Sequence, residues 1–407
     1  MSETPNEQAA RTRRLILLYG LTALTTNLAA RSLDPILPEI ARDFAVSVDR
    51  IALLASAFAL PYALIQPVLG PVGDALGKRR VIAVATAITG LALVACALAS
   101  NLGLLFIFRA VAGAAAGGIY PLVIATFGDR VPAAQRQVAL SRLLALSITG
   151  QIGGGLYSGL VHGILDWRGI IGTGALAVFA MALVLWWDLR REPEPPTGRL
   201  DIATAARRYG EILRIPMARY LFGAVAVEGL FVFGFLPFLA ATIEQWRLGG
   251  PVQAGLAIGA FGAAGVAYAT ISAFLLSRLG LPAMQRLAGG LAALGFLLIA
   301  WTGWQAGKGD VALGVAPVVA GMFIIGLGYF TTHNSLQNRV TEVYPKARGS
   351  AVSLHAFSFF IGQSLGPALF GVLFTLLGPG IALVVCAAVM LALGLALSWV
   401  MRRPARS

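Results

Sequence analysis

Four ionisable side chains stand in stretches that are otherwise apolar: Arg31, Asp34, Arg109 and Glu228. A charge at bilayer depth costs a few kcal/mol or more, so each is a candidate for function. At 1.5 Å of rise per residue, Asp34 lies ~9 Å and Arg31 ~14 Å below the outer end of the first apolar run, and Arg109 lies ~12 Å below the outer end of the fourth. These three share a level, and Arg31 and Asp34, three residues apart, occupy neighbouring faces of one helix. A carboxylate between two guanidinium groups stays ionised while the contacts hold and can take a proton when they part. An Arg31–Asp34–Arg109 cluster would therefore couple proton uptake to movement of the first run against the fourth. The competing reading is a static ion pair that sets helix register. Glu228 lies ~13 Å from the inner end of the seventh run, amid Gly229, Phe231, Phe233 and Phe235. An acid beside aromatics suits a cationic, lipophilic ligand or a second proton site. The competing reading there is a pairing with a polar group on a neighbouring helix.

The elements that must hold these groups are legible from composition. Of 407 residues, 58% are apolar and only 12% charged, where soluble proteins carry about 25% charge. Such a chain cannot clothe its surface in water, which excludes a soluble enzyme, a disordered scaffold and a disulfide-stapled secreted module. The net charge of +13 would suggest nucleic acid in a soluble protein. Here the basic residues fall between apolar runs with no basic face of interleaved aromatics, so no nucleic-acid partner is expected and the bilayer is. Cys96 and Cys386 both lie inside apolar runs, as packing residues rather than a disulfide or metal site.

Twelve runs are long enough to cross a bilayer as helices, at about 20 residues each: 15–40, 47–71, 80–99, 102–127, 139–164, 169–188, 220–243, 254–277, 284–306, 311–334, 349–377 and 380–401. The fold class expected is an all-α polytopic membrane protein of twelve transmembrane helices. With the amino terminus inside, 24 of the 31 Lys and Arg fall in inside segments, five in outside loops (Arg42, Arg50, Arg168, Arg247 and Lys308), and two, Arg31 and Arg109, within spans. This asymmetry predicts both termini in the cytoplasm. Residues 1–14 read as a cytoplasmic tail leading into a retained helix. A bundle over 15–189, a Pro- and Arg-rich linker over 190–219, a second bundle over 220–401 and a tail over 402–407 complete the expected organisation.

A repeat relates the halves. Gly150-Gln151-Ile152-Gly153-Gly154 with Gly159 is matched 212 positions later by Gly362-Gln363-Ser364-Leu365-Gly366 with Gly371. Paired six-helix halves are how many secondary transporters build a site at the midplane.

The loop after the second run reads Gly70-Pro71-Val72-Gly73-Asp74-Ala75-Leu76-Gly77-Lys78-Arg79-Arg80. It closely resembles the signature loop of the major facilitator superfamily, G-x-x-x-D-x-x-G-R-[RK]. Arg109-Ala110-Val111-Ala112-Gly113 is similar to that family's R-x-x-x-G element, and Asp166-Trp167-Arg168 to its outside loop. The resemblance spans essentially the whole chain and points to the drug:proton antiporter branch. It implies two pseudo-symmetric six-helix bundles, a monomer working by alternating access, and gating roles for Gly70, Gly73, Asp74, Gly77, Arg79 and Arg80. Two departures stand out. The second-half copy of the loop is reduced to Ser277-Arg278-Leu279-Gly280, and the Gly-Pro of the antiporter element occurs as Gly366-Pro367 rather than on span five, where Gly154-Gly155 stands.

Further polar and aromatic residues are placed as solute contacts: Tyr62 and Gln66 on span two, Tyr120 on span four, Gln151 and Gln363 at matched positions, and Phe231 and Phe235 beside Glu228. His333, Asn334 and Gln337 group at the inner end of span ten as a gate-level network, and His355 reads as a packing residue. The leading function is a secondary active transporter of a small organic solute, in proton-coupled efflux. The alternatives are a proton-coupled importer of a small organic anion, which Arg31 and Arg109 could clamp, and a transport-dead membrane sensor. A membrane-embedded enzyme lacks its metal cluster, nucleotide loop and donor site in this sequence, so no enzyme activity and no cofactor are expected. Ala- and Arg-rich usage without an N-x-[ST] acceptor points to a bacterial inner membrane.

Overall fold

The computed structural model describes residues 5–192 and 202–402. Every regular element among them is helical. Twelve spans form two pseudo-symmetric six-helix bundles. In the first half, span one is Pro5–Arg31, span two Val48–Leu76, span three Lys78–Ala97, span four Leu102–Ala116 continued by Ile119–Arg130, span five Ala133–Val161 and span six Trp167–Arg191. In the second half, span seven is Pro216–Glu228 and Gly234–Gln245 joined by a π-helical turn, Gly229–Phe233. Spans eight and nine lie within Pro251–Gly307, span ten is Ala316–Val343, and spans eleven and twelve lie within Arg348–Val400.

The two longest helices are each a pair of spans. Fifty-three residues would reach ~80 Å as one rod, against ~30 Å of hydrocarbon, so Arg348–Val400 must turn back. It does so at Gly378, with φ of 72° just before Pro379. Pro251–Gly307 turns at Gly280, with φ of 68°, two residues before Pro282. A positive φ that only glycine tolerates well, followed by a proline that cannot donate, ends one helix and starts the next. Side chains end or start other spans: the Asn101 carboxamide oxygen accepts from the Leu104 N–H, and Asp166 accepts from Gly169.

Span one differs from the single helix expected over 15–40. The α-helix stops at Arg31, Asp34–Ile36 forms a 3-10 turn, and a short helix, Leu37–Asp43, follows. Pro35 and Pro38 explain it, because a residue before proline is pushed out of the α region and the proline offers no N–H. Arg31 and Asp34 therefore face each other across a helix end rather than along a helix surface. Span ten runs nine residues beyond its expected end at 334, to Val343. The linker contains a helix, Ile202–Arg214, whose Ile212 is buried while Arg207, Arg208 and Arg214 are exposed. Nine helices among the described residues are long and apolar enough to cross a membrane. Spans one and five fall outside that set because they carry polar residues such as Asn27 and Gln151 on the face they present to the interior.

The glycines of the repeat are used the same way twice. A methyl group built at Gly150 would meet the Leu24 carbonyl oxygen at 2.3 Å, and at Gly154 the Leu28 oxygen at 2.5 Å, which seats span five against span one. At Gly362 it would meet the Ala226 oxygen at 2.0 Å and at Gly366 the Leu230 oxygen at 2.7 Å, seating span eleven against span seven. Small residues let backbones approach this closely where lipid supplies no hydrophobic drive between helices. Gly159 and Gly255 close the two halves on each other through Pro251 and Gly155 carbonyls, each at 2.7 Å from the added methyl. At that same end Arg42 of the first half bonds Glu244 of the second at 2.9 Å.

Gly362→Leu is expected to lower thermal stability of the purified protein by the upper part of the roughly 1–3 kcal/mol that overpacking costs. Gly223→Leu, on span seven where an added methyl meets nothing within 4 Å, should leave the melting temperature within error. Equal shifts in the two variants would remove the packing role assigned to the repeat.

Candidate functional site

Between the halves lies a cavity of about 520 Å³. Spans one, two, four and five supply its wall from the first half, and spans seven, eight, ten and eleven from the second. It reaches toward the end that carries both termini, where Gln337 and Asn338 line it. The opposite end is shut by the glycine contacts and the Arg42–Glu244 pair.

The closed end of the cavity holds the ionised groups. Arg31 approaches Asp34 at 3.6 Å, and its guanidinium carbon lies 4.7 Å from the ring centre of Phe233, on the other half. Arg31 thus spans the interface, with its charge partner on one side and an aromatic face on the other. Arg109 is 3% exposed. It makes no ion pair of 4.0 Å or less with Asp34: its Nε and Nη1 are buried without hydrogen-bond partners, and its carbon rests 4.6 Å from the Phe58 ring centre. The three residues share the cavity wall, but only Arg31 and Asp34 are paired. The reason lies in span four, where Gly113 sits under the Phe58 carbonyl and brings Phe58 beneath the guanidinium.

Tyr62, Gln66, Tyr120, Gln151 and Gln363 also line the cavity. Gln66 donates to the Gly117 carbonyl at 3.1 Å, and the Gln363 side-chain oxygen has no partner. Tyr62 packs on Phe360 of the second half, with ring centres 4.0 Å apart.

Three residues placed as solute contacts lie elsewhere. Phe235 is 1% exposed and packs in the second-half core against Phe296 and Phe370. Phe231 packs on Phe370. Glu228 is fully buried and is not part of the cavity wall; its Oε2 is 2.8 Å from His333 Nδ1. The π-helical turn just after Glu228 re-aims these side chains, so Phe233, and neither of the other two, reaches the cavity. Phe233 was passed over because a sequence offers no sign of a π turn beyond a glycine.

His333 is likewise deeper than a gate at the inner end of span ten. Because the helix continues to Val343, His333 lies mid-span, stacked on Tyr329 at 5.1 Å and 5.5 Å from the ring of His355. Asn334 and Gln337 share its cavity wall. His355 lines the cavity too, 3% exposed, with both ring nitrogens unpartnered.

The Major Facilitator Superfamily profile matches residues 15–354. The chain belongs to that superfamily. It is 25% identical over 394 residues to the MFS-type transporter YwfA of Bacillus subtilis (strain 168), covering 96% of this chain and 93% of the relative. It is 25% identical over 202 residues to the quinolone resistance protein NorA of Staphylococcus aureus, a match over 48% of this chain and 52% of NorA. Among solved structures, the nucleoside transporter NupG superposes with a TM-score of 0.77 at 16% identity, over 96% of this chain and all of the other. That likeness shows the fold; the profile match and the MFS-type relatives make the chain a membrane transporter of small molecules.

The superfamily's signature loop lies at the terminus-bearing end, away from the cavity. Gly77 breaks the chain between spans two and three with φ of 87°. Asp74 and Asp129 meet Lys78 at 3.1 and 2.6 Å, tying span two to span four through the start of span three. Gly73 packs beneath Leu122 of span four, Gly70 has open space around it, and Arg80 is exposed. Arg79, at the start of span three, is 1% exposed and reaches Asp188 on span six at 2.5 Å, and Arg14 of span one also bonds Asp188. Glu192, just beyond span six, receives Arg130 at 2.8 Å and Arg11 at 3.2 Å. Burial would raise its carboxyl, but Arg130, Arg79 and Arg11 hold it below its usual range. Asp188, the hub of this network, carries no motif of its own and is found only through its partners.

Arg79→Ala should cost roughly 3–5 kcal/mol of stability, since it strips a partner from a buried carboxylate, while Arg80→Ala should stay within about 0.5 kcal/mol. A thermal-melt series on the two variants reads this, and comparable losses would refute it. For Glu192 the folded state holds the proton less tightly than the unfolded one. Its contribution is therefore full above the ordinary carboxylate value of about 4.3 and is lost as the pH falls through the lower folded value. Glu192→Gln should melt lower than wild type at neutral pH and lose less stability on acidification.

Proposed function

We propose that the protein exports a small organic solute in exchange for protons, by alternating access between its two halves. The observation that carries this reading is Arg31, held at 3.6 Å from Asp34 in the first half and 4.7 Å above Phe233 in the second. Any rocking of one half against the other changes what faces Arg31, and with it the electrostatic field at Asp34. An ionised Asp34 favours the closed contact; a protonated one loses most of its hold on the guanidinium. Proton binding is thereby linked to the state of the interface. The Glu228–His333 pair is a second protonatable group on the opposite half, with His333 on the cavity wall and Glu228 behind it. An aromatic cavity that reaches the basic end, and the partial likeness to the quinolone resistance protein NorA, support outward movement of solute. The basic end would face the cytoplasm, by the excess of Lys and Arg there, with the chain working as a monomer in a bacterial inner membrane. Import of an organic anion with protons is the competing direction, and the two cavity arginines are what favour it.

In proteoliposomes an imposed pH gradient should drive solute flux in wild type. Asp34→Asn should reduce gradient-driven flux at least ~10-fold, while solute exchange at equal pH on both sides persists, because only the proton step is lost. Undiminished gradient-driven flux in Asp34→Asn would eliminate Asp34 as the coupling group, and flux whose direction follows the protons would replace export by import.

A further inference from the structure

The charges on the cavity wall do not balance. Arg31 and Asp34 answer each other at 3.6 Å. Arg109 lines the cavity, has no carboxylate at such range, is 3% exposed, and has its Nε and Nη1 buried without hydrogen-bond partners. The ring of Phe58 supports it from one side at 4.6 Å. A cation–π contact uses the face of the guanidinium and gives its buried N–H groups no acceptor. Glu228, the acid that could attract a cation, is fully buried behind the wall and bonded to His333 at 2.8 Å. The cavity therefore meets its occupant with one surplus positive charge at its closed end, where a desolvated guanidinium with two unmet donors is costly to leave unanswered.

The surroundings of that charge are aromatic. Phe58 adjoins Tyr62 at 6.1 Å, and Tyr62 packs on Phe360 at 4.0 Å, so a ring wall runs from Arg109 across the interface to the second half. On that far side the Gln363 oxygen and both nitrogens of His355 are buried without partners. The volume, about 520 Å³, is within the ~300–1,000 Å³ of sites for drug-sized molecules.

We propose that the solute is a compact aromatic monocarboxylate, its carboxylate held by the guanidinium of Arg109 on the cavity wall and its ring system laid against Tyr62 and Phe360. The inference rests on the reading of this cavity as the transport site, and names what enters it whichever way it moves. One surplus charge selects a monoanion. A dianionic phosphate ester would leave a negative charge unmet beside Asp34, and a cation would meet Arg109 head-on.

The test is binding to the full-length protein in detergent, by calorimetry and ligand-induced thermal stabilisation. The probes are 2-naphthoate, cinnamate and indole-3-acetate, each with its neutral amide and its primary amine counterpart, together with 2-naphthyl phosphate. Carboxylates should bind at least ~10-fold tighter than their amides, the size of a charge-assisted hydrogen bond, with the amines weaker still. Arg109→Gln should erase that preference, Arg109→Lys should keep part of it, and Asp34→Asn should tighten carboxylate binding several-fold by removing the opposing charge. Equal binding of carboxylate and amide, a preference for amines or for the phosphate ester, or no binding by any probe overturns the proposal. So does a preference that survives in Arg109→Gln. Should that variant not fold, weaker carboxylate binding in Asp34→Asn overturns it instead. Carboxylates that bind without gradient-driven flux would defeat the export reading and leave the solute class standing. Gradient-driven flux of amines alone would do the reverse.

Discussion

A charge removed from water must be met within a few ångströms or remain costly, and the arrangement of this molecule follows from where that demand is satisfied. At the terminus-bearing end it is satisfied by ion pairs. Arg79 and Asp188 are both buried and both paired, and they lock spans three and six together with the end of span one through Arg14. At the closed end of the cavity it is satisfied only in part. Arg31 shares its charge between Asp34 and an aromatic face on the other half, and Arg109 rests on Phe58 with its Nε and Nη1 unpartnered. Paired charges brace the spans at one end, and at the other the charges are met by aromatic faces as well as by Asp34.

Glycine makes both possible. The approach of span five to span one, repeated by span eleven and span seven, keeps each half a tight unit. Across the halves, Gly155, Gly159 and Gly255 together with the Arg42–Glu244 bond close one end, while Arg31 on Phe233 and Tyr62 on Phe360 touch across the cavity. The Arg42–Glu244 pair is exposed on the Arg42 side, and exposed pairs contribute little. Closure at this end is therefore held by helix packing more than by the ion pair.

The fold was legible because lipid imposes a coarse rule. Apolar runs of about 20 residues, a basic excess on alternate loops and the Gly-Gln repeat at 150 and 362 all follow from local composition. The site was legible in part. Arg31, Asp34 and Arg109 stand out as charges where none should be, and all three meet at the cavity. Phe231 and Phe235 could not be told from Phe233, because a π turn shifts the helical phase and no pattern in the residues announces it. Glu228 shows as a charge in a span, yet its partner is 105 positions away on span ten. The polar stretch after His333 reads as a loop near the membrane surface, whereas it is the cavity-facing side of a continuing helix.

The sequence by itself determined the solvent, the number of crossings, the two-fold repeat and the family, since each depends on residue type at short range or on a repeated spacing. Tertiary structure decided which charges are answered and which are left open. Asp188 became a hub, Glu228 was withdrawn behind His333, and Arg109 came to rest on Phe58 instead of reaching Asp34. Such outcomes turn on differences of an ångström or two between side chains brought together from distant helices, and Coulomb energy in a dry interior changes steeply over that distance.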